Sequence, residues 1–202
     1  MAVVVGQATT IGGDCFVLYH EASTGELHAL NASGVAPAAA TPDKFPDGMK
    51  VHGPMAAVVP GLVQAWKVLH QRFGSAPWED LIAPSIEAAE GHPVSYILGA
   101  RLAQDTSDLV QDPGCSGVYV PGGKPVALGA TLRQAALAAT LKRIARGGPD
   151  EFYQGETARL IAKAHANAGG LITEADLASY APMWVAPVST EYRGHRVSVL
   201  PP

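Results

Sequence analysis

The chain has 202 residues, 48% of them hydrophobic, which is enough for one sizeable core. Its 14 Lys+Arg against 18 Asp+Glu give a net charge of -4, which excludes the basic face of a nucleic-acid-binding protein. No run of about 18 apolar residues spans a membrane, and Met1 to Val5 has neither the charged start nor the length of a signal peptide.

Cys15 to His20 reads as a strand, with Phe16 and Leu18 on one face and Val17 and Tyr19 on the other, the pattern of a strand covered on both sides. Ser23-Thr24-Gly25 is turn chemistry, and Glu26 to Leu30 alternates as a second strand, so the two predict a hairpin. Residues 34 to 61 hold Pro37, Pro42, Pro46, Pro54 and Pro60, which exclude a long helix; an extended crossover with one helical turn at Asp43-Lys44-Phe45 is expected. From Gly61 to Phe73, Leu62, Trp66, Leu69 and Phe73 recur at helical spacing, with Gly74 as the stop. Trp78 to Ile82 and Pro84 to Ala89 read as two short helices divided at Pro84 and closed by Gly91. Ser95 caps a helix to about Leu109, and the Gly/Pro-rich residues 112 to 130 read as loop.

Leu132 to Ala145 predicts an amphipathic helix with Leu137, Leu141 and Ile144 on one face. Lys142, Arg143 and Arg146 decorate its C-terminal turn, where the helix dipole favours cations. Glu156 to Asn167 is another helix, stopped by Gly169-Gly170, and Thr173 with Asp176 resembles a capping box. Trp184 to Tyr192 and His195 to Leu200 read as strands around a turn at Arg193-Gly194. Strands at both ends of a helix-rich middle indicate a layered α/β or α+β domain.

No complete catalytic set is visible in these residues. Cys15 and Cys115 make no disulfide framework and no zinc spacing, and read as two isolated thiols. Asn31-Ala32-Ser33 fits a glycosylation acceptor, a triplet that chance supplies often. The seven histidines include no pair at ligand spacing backed by a carboxylate; His20 and His28 are placed to face each other across the hairpin, and no metal site is assigned to them. Gly117 to Lys124 fails as a phosphate loop, because Pro125 stands where Ser or Thr would bind magnesium. Ser116 lacks a nucleophile elbow, and Cys115 would need a histidine brought to it by the fold. Glu87 and Glu90, three apart, read as a solvated helix face.

Ile11-Gly12-Gly13-Asp14-Cys15-Phe16 resembles the G-I-G-G-x-x-F segment of the gamma-glutamyltranspeptidase (glutathione hydrolase) family, in the form of its transpeptidase-like subgroup. Ala36-Pro37-Ala38-Ala39-Ala40-Thr41 resembles its A-P-x-x-A-T, and Val59-Pro60-Gly61-Leu62-Val63 its V-P-G-x-V. Phe73-Gly74, Pro77-Trp78 and Ala83-Pro84-Ser85-Ile86 are similar to its Y-G-x-x-P-W and A-P-A-I. Phe152-Tyr153-Gln154-Gly155, Gly169-Gly170, Asp176-Leu177-Ala178-Ser179-Tyr180, Tyr192-Arg193-Gly194 and the terminal Pro201-Pro202 continue the series in order.

The resemblance implies an α+β fold: part of an N-terminal-nucleophile hydrolase αββα sandwich. Family precursors cleave themselves into a large and a small subunit. A Thr freed at the start of the small subunit attacks the gamma-glutamyl amide, with its own amino group as base and no cofactor or metal. Because family precursors are well over twice as long, residues 1–202 are expected to form a partial large-subunit region of one domain. The early start and the whole small subunit would be absent, and the piece would be inactive alone. The small subunit of the same precursor is then the expected partner, with glutathione or another gamma-glutamyl or acyl amide as substrate. The compartment is left open.

The resemblance also places Gly12, Gly13, Asp14, Ser33 and Val35 on the wall of the substrate pocket. The family sets an Arg before A-P to grip the substrate's carboxylate with its planar fork. Here Ser33 stands at the Arg of one family pattern and Val35 at that of the G-S-G-R-A-P variant. Neither carries charge, and a lost charged hydrogen bond is worth about 1.5–3 kcal/mol. An acylase of the same fold with another acyl specificity is therefore an alternative. A non-catalytic remnant acting as an interaction protein is another, exposing apolar surface and strand edges.

Overall fold

The computed structural model describes residues 2–201; Met1 and Pro202, and so the last member of the Pro-Pro ending, lie outside the described residues. In chain order the elements are β1 (Cys15–Glu21), β2 (Glu26–Ala32), α1 (Leu62–Phe73), α2 (Trp78–Glu90), β3 (His92–Pro93), α3 (Tyr96–Gln104), α4 (Thr106–Leu109), α5 (Pro113–Tyr119), β4 (Thr131–Leu132), α6 (Ala135–Gly147), α7 (Asp150–Gln154), α8 (Glu156–Ala168), α9 (Glu174–Ser179), β5 (Met183–Val185), β6 (Val188–Tyr192) and β7 (His195–Val199). The α+β class, with a helix-rich middle and strands at both ends, is the observed arrangement. The chain forms two compact units: Met1–Thr10 with Ala76–Gly148, and Ile11–Ser75 with Pro149–Pro202.

In the second of these units, β1 and β2 pair antiparallel from Cys15↔Ala32 to Glu21↔Glu26, around a turn whose Gly25 has φ 74. β5 adds to the other side of β2, giving the order β1-β2-β5. One face of this sheet packs on α1: Leu30, Ala32 and Ala65 are buried together, flanked by Cys15, Val17, Val68 and Leu69. The expectation that β1 is covered on both sides fails, because Phe16 is 58% exposed and Leu18 is exposed beside it. A single helix shields only one face of a hairpin, and alternation sends Phe16 and Leu18 to the other.

The crossover from residue 34 to 61 is extended, as its prolines require, with short 3-10 turns at Pro42–Lys44 and Pro54–Ala56. Later in the same unit, α7 buries Phe152 and Tyr153, and the Tyr153 ring stacks on Tyr180 at 6.0 Å. α8 ends on Gly169, whose φ of 75 is the left-handed cap a glycine supplies without strain. The Thr173–Asp176 capping box forms and opens α9. The expected strand from Trp184 to Tyr192 is broken into β5 and β6, since Pro187 has no N–H to give a ladder. β6 and β7 pair as a separate hairpin, with Arg193 at φ 50 and Gly194 at φ 78 in the turn.

In the other unit, the expected pair of short helices is one continuous α2, with the exposed Pro84 inside it. Proline forfeits one backbone hydrogen bond there. The burial of Ile82 and Ala89, and the bond from Trp78 Nε1 to the Ile144 carbonyl at 3.0 Å, hold α2 against α6 despite that loss. The helix expected from Ser95 to Leu109 is interrupted at Asp105, giving α3 and α4; Ser95 caps α3 by accepting from the Leu98 amide. The stretch 112 to 130 is not all loop. Asp112 accepts from the Cys115 amide at 2.7 Å and Pro113 fits the first helical position, so α5 forms in spite of its glycines. α6 begins at Ala135, later than expected, because Leu132 pairs with His92 in β4. Its buried face is Ala138, Leu141 and Ile144, with Leu137 only half-buried.

Candidate functional site

The residues singled out as a pocket wall come from two loops at one end of the β1–β2 hairpin. Gly12, Gly13 and Asp14 lead into β1; Ser33, Gly34 and Val35 leave β2. Since Cys15 pairs with Ala32, the register brings the two loops side by side. The start of α1 closes against both. The Gly13 carbonyl accepts from the Gly61 amide at 3.0 Å and the Leu62 amide at 2.9 Å. Gly61 must be glycine: a Cβ there would lie 2.0 Å from the Ala32 carbonyl oxygen and 2.7 Å from the Tyr180 hydroxyl.

The peptide between Ser33 and Gly34 is bonded at both polar ends. Tyr180 Oη donates to the Ser33 carbonyl at 3.0 Å, and the Gly34 N–H donates to Asp14 Oδ1 at 2.7 Å. A side chain on Gly34 would stand 2.4 Å from both Val58 Cγ2 and the Val59 carbonyl. The Val35 carbonyl accepts from the Val59 amide at 2.9 Å, and the Ser33 amide donates to Asn31 Oδ1 at 2.9 Å. The main chain of the rim is thus fixed. The Ser33 side chain is half-buried; Val35 is 50% exposed and Asp14 is exposed.

Behind the rim stand groups that the sequence alone did not single out. Tyr153 Oη donates to the Pro60 carbonyl at 2.8 Å and accepts from the Gln64 amide at 3.0 Å. Gln64 lies in the first turn of α1, whose N-cap Gly61 has no side chain to offer, so Tyr153 takes the capping part from outside. Burial drives the Tyr153 phenol above the ordinary tyrosine range. Burial first, then the charges of Asp14 and Cys15, push Tyr180 up to about 12. Asp176 was legible as a capping residue, yet its other oxygen also accepts from the Ala38 amide at 2.8 Å, anchoring the chain just past the rim. Burial raises the Asp176 carboxyl, but the Ala38 amide and the Thr173 hydroxyl and amide outweigh it and hold the group below its usual value. The clue to Tyr180 and Tyr153 was their place in the family motifs; no local pattern marks a tyrosine as a support.

The remaining candidates fall elsewhere. His20 and His28 do not face each other: His20 stands opposite Leu27 and His28 opposite Tyr19, so they occupy opposite faces of the hairpin. His28 instead meets Glu21 at 3.2 Å and Glu26 at 3.7 Å, the three ligand-type atoms lying within 4.8 Å of one another. Arg72 Nη2 sits 3.1 Å from His28 Nδ1. A guanidinium only donates, so Nδ1 accepts and Nε2 carries the ring proton toward Glu21. A cation on Nε2 would move that proton to face Arg72, and no metal role follows. Burial, then the Asp112 carboxylate, push the Cys115 thiol up, away from a nucleophilic thiolate. Both cysteines are free. Glu90 pairs with Lys142 at 2.5 Å.

The rim therefore has a fixed main chain carrying few functional groups. Its own side chains are a hydroxyl, an isopropyl and a carboxylate, and residues 1–43 contain neither Lys nor Arg.

The gamma-glutamyltranspeptidase family model matches residues 1–202. The glutathione hydrolase proenzyme of Escherichia coli is 34% identical over 214 residues, covering 100% of this chain and 36% of that protein. The acylase ACY 1 proenzyme of a Pseudomonas strain is 38% identical over 157 residues, covering 77% of this chain and 28% of that protein. Among solved structures, the Helicobacter pylori gamma-glutamyltranspeptidase superposes with a TM-score of 0.94 at 33% identity, over 100% of this chain and 60% of that one. The chain spans about a third of the length of the curated relatives it matches. With this collinear match over its whole length and the fold of the solved transpeptidase, the chain belongs to the gamma-glutamyltranspeptidase family.

Proposed function

We propose that these 202 residues are the substrate-side part of the large subunit of an amide hydrolase and acyl transferase. Its nucleophilic Thr is supplied by a small subunit of the same precursor. The enzyme opens an acyl amide, forms an acyl-enzyme, and passes the acyl group to water or an amine. The observation that carries this reading is the fixed rim at Ser33–Val35, built by Asp14, Tyr180 and the start of α1, within a chain that matches the family throughout. Gly12, Gly13, Asp14, Ser33 and Val35 form the wall against which the acyl group lies.

Glutathione and other gamma-glutamyl amides are the substrates of the first reading, in line with the glutathione hydrolase relatives; acylase activity on other acyl groups is the second, in line with the acylase relatives. The acylase reading is favoured by the uncharged Ser33 and Val35, the positions at which the resemblance to the family puts its carboxylate-gripping Arg. The test is to express the full-length protein, determine by intact mass whether a Thr-initiated second chain appears, and assay it on a gamma-glutamyl anilide and on other acyl anilides. Processing with turnover of either anilide supports the enzyme. A processed protein that turns over neither sinks it. Preference for the gamma-glutamyl anilide refutes the acylase reading, and Arg introduced at 33 or 35 is expected to raise that activity.

A further inference from the structure

We infer that Asp14 selects acyl donors by charge, favouring an end group that is an ammonium or neutral and disfavouring a carboxylate. The inference rests on the proposed function, because it assigns Asp14 a part in the same rim. Three observations carry it.

First, the Asp14 carboxylate is held in place. Its Oδ1 accepts from the Gly34 amide at 2.7 Å, and the preceding carbonyl, that of Gly13, is held by two amides of the α1 start. Second, one oxygen is engaged with a main-chain amide, a neutral partner, so the negative charge is left beside the exposed Val35 and the half-buried Ser33. The charge is felt locally: after burial, Asp14 is the largest cause lifting the Tyr180 phenol. Third, residues 1–43, which supply both loops of the rim, contain neither Lys nor Arg, so neither loop brings a cation of its own. A carboxylate entering this rim meets a fixed like charge with no guanidinium from either loop to offset it; an ammonium meets an acceptor. At a partly solvated site this is a several-fold effect in each direction.

Asp14 also has a positioning role, and the two roles separate by substitution. Asp14→Asn keeps an oxygen acceptor for the Gly34 amide and removes the charge. Tyr180→Phe removes the donor to the Ser33 carbonyl and leaves the charge. The experiment measures binding to the full-length protein, by calorimetry, of three five-carbon acyl amides that end in an ammonium, a methyl group and a carboxylate. The wild type is expected to bind them in that order, with about tenfold between the ends at low ionic strength and a smaller gap at high salt. In Asp14→Asn the three should bind within about twofold of one another. In Tyr180→Phe affinities fall but the order stays. An unchanged order in Asp14→Asn overturns the inference, as does wild-type protein that binds the carboxylate as tightly as the ammonium, or none of the three. Anilide turnover, measured in parallel, reports on the proposed function separately: charge-ordered binding without turnover refutes the enzyme and not this role, and turnover without charge order does the reverse.

Discussion

Replacing Tyr153 by Phe isolates the contribution of one hydroxyl to the start of α1. The ring, buried between Phe152 and Tyr180, stays in place. The hydroxyl makes two bonds, one to the Pro60 carbonyl and one from the Gln64 amide. Each bond is worth about 0.5–1.5 kcal/mol net, and stranding a buried group costs about 1–3 kcal/mol. Pro60 is buried and Gln64 half-buried, so the carbonyl bears the larger cost and the sum is about 2–3 kcal/mol. With a urea dependence of about 2 kcal/mol/M, the midpoint followed by near-ultraviolet circular dichroism should fall by roughly 1 M. Native-state hydrogen exchange should quicken at the Gln64 amide before it does in the later turns of α1. A midpoint lowered by less than about 0.2 M, with exchange at Gln64 unchanged, would refute the view that Tyr153 caps this helix.

Asp176→Ala removes the capping box and the Ala38 anchor together, and should cost about 2–4 kcal/mol at neutral pH, read from denaturant unfolding. Because the folded-state pKa of Asp176 lies below its unfolded value, its contribution is present above about pH 4 and fades as acid protonates the folded form. The difference between wild type and Asp176→Ala should therefore shrink in strong acid, and a pH-independent difference contradicts the assignment. Tyr180 has the opposite linkage: its raised pKa, about 12, means stability is full below pH 10 and declines as pH rises toward 12, which an alkaline unfolding series would show. Pro84→Ala restores a backbone donor inside α2 at an exposed position and should raise stability by about 1–3 kcal/mol; a loss of stability would mean that the proline ring is itself packed.

Much of the fold was legible where one local signal had no competitor. The β1–β2 hairpin, α1 ending at Gly74, α8 ending at Gly169 and the Thr173–Asp176 box all follow from caps and periodicity. Errors arose where composition stood in for geometry. The glycines after Pro113 suggested a loop, but the Asp112-Pro113 start signal was stronger. Pro84 suggested a break, but burial of Ile82 and Ala89 on the same helix outweighed one lost hydrogen bond. Phe16 and Leu18 were apolar enough to look covered, and a single chain's alternation does not say which face receives a neighbour.

The candidate site was legible as a set of loops and not as a mechanism of support. Gly12 to Asp14 and Ser33 to Val35 could be picked out by resemblance, and the register of β1 and β2 makes them neighbours. Tyr180 lies 147 positions from Ser33 and Asp176 lies 138 from Ala38, so no local reading of spacing connects them. Gly34 and Gly61 are glycines for reasons that only the crowded packing of Val58, Val59 and Ala32 reveals.

The doubly bonded Ser33–Gly34 peptide has a consequence for substitution at the side chains on either side of it. Its carbonyl and its amide are held by residues on separate segments, so the loop keeps its shape without help from the side chains at 33 and 35. Those two positions behave as interchangeable fittings in a fixed socket. Exchange of serine or valine for another residue alters what the rim touches while the backbone stays where Asp14 and Tyr180 put it. A scaffold of this kind separates two demands: substitutions at 33 and 35 change the surface of the rim at little cost in folding, while the shape of the loop depends on Asp14 and Tyr180.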